Sequence, residues 1–181
     1  MTELKSSTEE QERLRAVALW AVAAMERVLP VFERRYPENA LPRDAVEAAR
    51  AFGAGGRRDK RLRVLSLAVF KLGKDVDEAS KYITKAASAT AAVAYTHTDL
   101  QSGTQGVRQA QHILGPVVYA AFALEIEAGG DAAISAAMVH EEARIAPSEV
   151  RSILMHVPPQ PKKAGRLNEL FFQLDSEIRS Q

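Results

Sequence analysis

Leu14, Val17, Ala18, Ala21, Met25, Val28 and Phe32 recur at spacings of three and four, the period of a helix that turns one face to a core. Leu167, Leu170, Phe171, Leu174 and Ile178 repeat that pattern near the other end of the chain. Alanine supplies 31 of the 181 residues and aromatics only 6%, a composition that suits closely packed helices. These features predict an all-α fold, a single compact domain of about eight helices.

The elements follow from their punctuation. Ser7-Thr8-Glu9-Glu10 has the form of a capping box and predicts a helix start near residue 8. Pro30 should kink that helix after Leu29, and Pro37 should stop it. Pro42 opens the next helix, which carries Val46, Ala49 and Phe52 and ends at Gly53. Between Leu62 and Leu72 apolar residues point in nearly every direction, so this segment is expected to be a central helix buried all round. Gly73 ends it. A long alanine-rich helix is expected from about Asp75 to His97, then a polar loop from Asp99 to Gly106. The following helix runs from about Gln105 to Ala128 with Pro116 inside it, where a backbone donor is lost. Asp131 caps a helix to about Arg144, and Pro147 opens a short one to about His156. Residues 1–157 then form the helical body. Residues 158–181 form a proline-rich connector, Pro158 to Lys163, and a last helix packed back on that body.

Composition excludes several classes of function. With no cysteine, the chain has no disulfide framework, thiolate zinc site, iron–sulfur cluster or cysteine nucleophile. Twenty-four basic against 23 acidic residues leave a net charge of +1, so no global field draws the chain to nucleic acid or membrane. The first residues are polar and charged, unlike a signal peptide, and no window is apolar enough for a membrane span. The expected location is the cytoplasm.

Catalytic motifs fail one by one. Gly73-Lys74 is followed by Asp75, so there is no P-loop, and Gly53 to Gly56 follows a helix where a dinucleotide fingerprint follows a strand. No G-x-S-x-G is present; Ser102, near His97 and Asp99, is read as a solvated loop residue. His97, His112, His140 and His156 form neither H-x-x-x-H nor H-E-x-x-H. His97 and His112 flank one loop and could approach each other, but packing histidines, each satisfied by one hydrogen bond, are the favoured reading over metal ligands. No cofactor and no metal is expected. His112, Gly115 and Tyr119 share one helix face, expected to be internal, with His112 and the Tyr119 hydroxyl hydrogen-bonded inside the fold.

Charge is segregated along the chain. Residues 57–85 hold nine Lys and Arg against four Asp and Glu, and residues 86–149 hold two against seven. The densest run, Arg57, Arg58, Lys60, Arg61 and Arg63, opens a helix, the end where the macrodipole disfavours cations. A solvated helix start explains it; so would a docking surface for an acidic partner or a nucleic acid. Interleaved aromatics and a nucleic-acid motif are both missing, which disfavours the latter.

Three segments together resemble a known family. Trp20-Ala21 and Glu26-Arg27-Val28-Leu29-Pro30, with Phe32 and Glu33, lead into Leu41-Pro42-Arg43-Asp44-Ala45-Val46-Glu47-Ala48-Ala49-Arg50. Gln111-His112-Ile113-Leu114-Gly115-Pro116, with Tyr119, follows. Spread over residues 19–123, they resemble the Imm-5-like family of bacterial immunity proteins, common in actinobacteria. The tail around Pro158-Pro159 and Gly165-Arg166-Leu167 is similar to relatives labelled exonucleases. That label would need a P-loop and a metal centre, and the sequence has neither motif.

The resemblance implies a non-enzymatic binding protein whose partner is a toxin protein. The alternatives are a small-ligand or metal-assisted hydrolase built on His97, Asp99, His112 and Tyr119, or a nucleic-acid binder using residues 57–63. The partners expected are a toxin or a further copy of the chain, with no membrane.

Overall fold

The computed structural model describes residues 2–96 and 103–181, with side chains from Glu9 onward. Among these residues there are nine α-helices and no strand. In chain order they are α1 (Thr2–Glu26), α2 (Leu29–Arg35), α3 (Leu41–Gly53), α4 (Lys60–Leu72), α5 (Glu78–Ala92), α6 (Gly103–Glu127), α7 (Ala132–Arg144), α8 (Ser148–Leu154) and α9 (Arg166–Arg179). A single 3-10 turn, Val93–Tyr95, extends α5.

Several boundaries differ from the sequence reading. α1 begins at Thr2, so the capping-box residues lie inside the helix and do not start it. Pro30 does not kink one helix; it occupies the first turn of a new one, where its missing N–H costs nothing. That division raises the count from eight to nine. The alanine-rich helix starts at Glu78, because Asp77 accepts from the Ser80 N–H as an N-cap, and it tightens to 3-10 geometry at Val93. Residues 103–106, expected in a loop, are the first turn of α6. His97, Asp99 and Ser102 fall outside the described residues. The Asp131 cap on α7 and the Pro147 start of α8 stand where the sequence puts them.

The centre of the molecule is α5, not α4. Ala79, Ser80, Ile83, Thr84, Ala86, Ala87, Ser88, Thr90 and Ala91 are all buried, and α1, α3, α4 and α6 pack around them. Small side chains make this possible: several neighbours can approach one backbone closely and supply the volume themselves. Gly73 shows the same economy at the end of α4, where an added Cβ would lie 2.6 Å from Thr84 Oγ1. α6 lies along α5, with Pro116 in its interior, and carries α7 and α9 on its other side. The stripe of α1 is buried throughout: Leu14, Val17, Ala18, Ala21 and Met25 are at most 1% exposed.

α9 closes the bundle against α6 and α7 with Leu170, Phe171, Leu174 and Ile178. Beside this apolar seam runs a polar one. Arg166 donates to Glu125 Oε2 at 2.8 Å, to Ser135 Oγ at 2.7 Å and to the Ala132 carbonyl. Ser135, fully buried, donates its hydroxyl to the same Glu125 oxygen. Desolvated carboxylates persist only with such partners.

Candidate interaction surface

The structure overturns the expectation for residues 62–72. They are helical, but α4 is buried on one side only. Leu62 and Val69 face the core, and Leu65 and Leu72 lean on it. Ser66 holds the helix to α5 by reciprocal bonds: its hydroxyl donates to the Ser88 carbonyl at 3.0 Å, and the Ser88 hydroxyl donates to the Ser66 carbonyl at 2.8 Å. The opposite side carries Val64, Leu67 and Phe70, which are 63%, 58% and 54% exposed. Other large apolar side chains left exposed, such as Leu19, Ile134 and Met155, stand on separate helices or their ends. Those scattered cases are ordinary, whereas three on one arc form a patch.

A cleft of about 370 Å³ adjoins this patch. Arg63, Ser66 and Leu67 of α4 form one wall, Gln109 and His112 of α6 the other, and Ala92, Tyr95 and Thr96 the floor. Its origin is geometric: α4 and α6 each pack extensively on α5, leaving a valley between them over its C-terminal end. Tyr95 organises the mouth. Its hydroxyl donates to the Asp59 carbonyl, and the guanidinium carbons of Arg63 and Arg58 stand 5.2 and 5.7 Å from its ring centroid. Arg58 also donates to the Ala94 carbonyl at 3.3 Å. Asp59, in turn, caps α4 by accepting from the Arg61 N–H at 2.9 Å. Two arginines of the basic run are thus held in place by stacking. Arg57, Lys60 and Arg61 are exposed beside them.

His112 and Tyr119, the other expected site residues that the structure describes, lie in different surroundings. His112 stands exposed on the cleft wall, not inside the fold, and has no side-chain hydrogen bond among the described residues. Desolvation by the neighbouring wall lowers its pKa from the usual histidine value. Pro116, having no N–H, leaves the His112 carbonyl without its helical donor. Tyr119, two turns further on, belongs to a different environment. Its ring stands edge-on to Phe171 at 5.8 Å and tilted to Tyr82 at 6.4 Å, with Lys85 Nζ 5.9 Å away. Burial and Tyr82 push its pKa up, and its hydroxyl finds no hydrogen-bond partner among the described residues. Only Gly115 is internal as expected, its missing Cβ facing Ala89 and the Tyr119 ring. His97 and Asp99 lie outside the described residues. Among the described residues no group of three His, Asp or Glu could hold a metal ion.

Sequence reasoning missed the exposure of Val64, Leu67 and Phe70, because an all-round apolar helix reads as buried. The available signal was the cations among them: Arg61, Arg63 and Lys71 cannot all enter a core.

An exposed apolar arc, a neighbouring cleft and stacked arginines on an all-helical body are the features the site presents, and the fold is all-α. The chain belongs to the Imm-5-like family: residues 6–148 match the family described as Imm-5 like putative immunity protein. That span takes in α2 to α7, the cleft and the whole of the α4 face. No curated protein and no solved structure matches the chain. No helix of the described residues is long and apolar enough to cross a membrane.

Proposed function

We propose that this chain neutralises a toxin protein by stoichiometric binding, using the α4 face and its cleft, with no chemistry of its own. The observation that carries the reading is the outward arc of Val64, Leu67 and Phe70. Fully burying one such side chain is worth ~1.5–3 kcal/mol, so three half-exposed ones supply the centre of an interface. Family membership supplies the class of partner, since immunity proteins answer toxins.

The test is co-expression with a growth-inhibiting polypeptide, sought first among the reading frames that neighbour this chain's gene. Growth should be restored only when the two form a 1:1 complex, and Leu67→Glu and Phe70→Glu should abolish both effects while the variants stay folded. Protection at strongly sub-stoichiometric levels, or without any complex, would indicate an enzyme and overturn the reading.

A further inference from the structure

We infer that the α4 face and its cleft accept an acidic, amphipathic segment of the partner, with apolar side chains against Leu67 and Phe70 and carboxylates on the surrounding cations. The inference rests on the toxin-binding reading for which protein supplies the segment; the chemistry of the segment is argued from this surface alone.

Charge carries the first part. Among the described residues, none of the nine Lys and Arg between residues 57 and 85 lies in an ion pair with a carboxylate. Many arginines elsewhere are paired internally: Arg27 with Glu141 and Glu142, Arg35 with Asp77 and Glu127, Arg43 with Glu26 and Glu33, Arg166 with Glu125, Arg179 with Asp175. Arg57, Arg58, Lys60, Arg61 and Arg63 are thus the densest run of cations that no carboxylate pairs among the described residues. Nor does α4 itself gain from them, because Lys60, Arg61 and Arg63 crowd the helix end at which the dipole repels positive charge.

Geometry carries the second. At about 100° per residue, Lys60, Arg63, Val64, Leu67, Phe70 and Lys71 of α4 fall within an arc of roughly 120°. Leu67 sits in the middle of the arc and also lines the cleft. Tyr95 holds the faces of Arg58 and Arg63, so their N–H edges remain for carboxylates without loss of much rotamer freedom. An apolar line with cations interleaved and a groove alongside is the complement of a helix or strand bearing Leu-like and Glu-like residues on one side.

Two other occupants fit less well. A lipid surface is planar and would leave the concave side of the patch, His112 and Gln109, unfilled. A nucleic acid would bring phosphates onto Leu67 and Phe70, the least polar point of the arc.

The experiment uses the full chain and a synthetic helical peptide with a leucine stripe and glutamates elsewhere, beside its lysine counterpart. Backbone amide shifts map the contact, and anisotropy gives the affinity. The glutamate peptide should bind at least about tenfold more tightly than the lysine peptide and weaken about tenfold from low to high salt. Shifts should centre on Leu67 and Phe70. Leu67→Glu should abolish binding, and the combined Lys60→Glu, Arg63→Glu, Lys71→Glu variant should reverse the peptide preference. All these positions are exposed, so the variants should keep the parent's circular dichroism and melting temperature. Equal binding of both peptides, or no binding of either, overturns the inference. So does binding of anionic vesicles or duplex DNA that Leu67→Glu removes, or a dimer of the chain alone that Leu67→Glu dissociates. The toxin assay separates the two readings. If the charge-reversed variant still protects cells, neutralisation stands and the acidic segment falls. If the peptide result holds while the chain gives no protection, the reverse is true.

Discussion

The backbone N–H of Gln160 donates to Asp175 Oδ2 at 2.9 Å, and this bond ties the proline-rich connector to the last helix. Asp175 is 1% exposed, and the same oxygen accepts from Arg179 Nε at 2.9 Å. Arg179 then donates to the carbonyls of Val157 and Pro158. The Gln160 side chain reaches the other way, donating to the Val107 carbonyl of α6 and accepting from Gln111. A connector rich in proline has few donors of its own, so one aspartate organises it. Asp175→Ala would strand the Gln160 N–H and the Arg179 guanidinium together, and breaking a buried pair in this way costs about 3–5 kcal/mol. Urea unfolding should register that loss, and a variant as stable as the parent would show that the connector is not held by this network.

How much of this was readable beforehand depends on what each residue does locally. Asp131 at the start of α7 and Pro147 at the start of α8 act on their own backbone, and sequence places both helices to within a residue or two. The stripe from Leu14 to Met25 faces a single core, so periodicity identifies it. Residues 62–72 defeat periodicity because two different surfaces are apolar, one for the core and one for solvent. α5 defeats hydrophobicity because its centrality comes from small residues that let neighbours in, a property of the neighbours as much as of the helix. The cleft depends on α4 and α6 sharing α5, a tertiary fact with no local signature.

The orientation of α4 makes a sharp prediction for stability. Val69 and Leu62 face the core, so Leu62→Ala should cost about 2–5 kcal/mol and Val69→Ala somewhat less. Leu67→Gln and Phe70→Gln, on the opposite side, should change stability by no more than about 0.5 kcal/mol. Chemical denaturation of the four variants tests this directly. Equal losses on both sides would mean that α4 is buried all round after all.

Glu142 should couple stability to pH. It is 2% exposed; its Oε1 accepts from Arg27 at 3.2 Å, while its buried Oε2 has no partner among the described residues. Desolvation is the largest influence and raises its pKa above the ordinary glutamate value of 4.5; Arg27 opposes the shift. A carboxyl whose folded-state pKa is raised binds its proton more tightly in the folded chain than in the unfolded one. Its contribution is therefore fully present below the unfolded value and is lost as pH rises through the folded one. Glu142→Gln removes the titration. Relative to the parent, the variant should gain stability as pH rises above the ordinary glutamate value of 4.5 and through the raised folded-state value. Urea titrations across that range would show the difference curve, and a flat one would mean that Glu142 is ionised in the fold at no cost.

Two buried glycines should respond very differently to alanine. At Gly73 an added Cβ would stand 2.6 Å from Thr84 Oγ1. Thr84 is fully buried and its hydroxyl is committed to the Lys81 carbonyl at 2.8 Å, so it has nowhere to turn. Gly73→Ala must therefore lift the end of α4 from α5, an overpacking change costing ~1–3 kcal/mol. At Gly115 the nearest atoms are Tyr119 Cε2 at 3.3 Å and the Ala89 Cβ at 3.8 Å, and a ring edge can give by a few tenths of an ångström. Replacing glycine in mid-helix recovers ~1 kcal/mol of backbone entropy, enough to offset that adjustment. Gly115→Ala should thus be close to neutral. Gly115→Leu should be destabilised by ~1–3 kcal/mol, because its longer branch meets Ala89 and a ring pinned edge-on by Phe171. Thermal and urea unfolding of the three variants give the order Gly115→Ala, then Gly73→Ala and Gly115→Leu. A Gly73→Ala protein as stable as the parent would show that the contact between Gly73 and Thr84 has room for a methyl group.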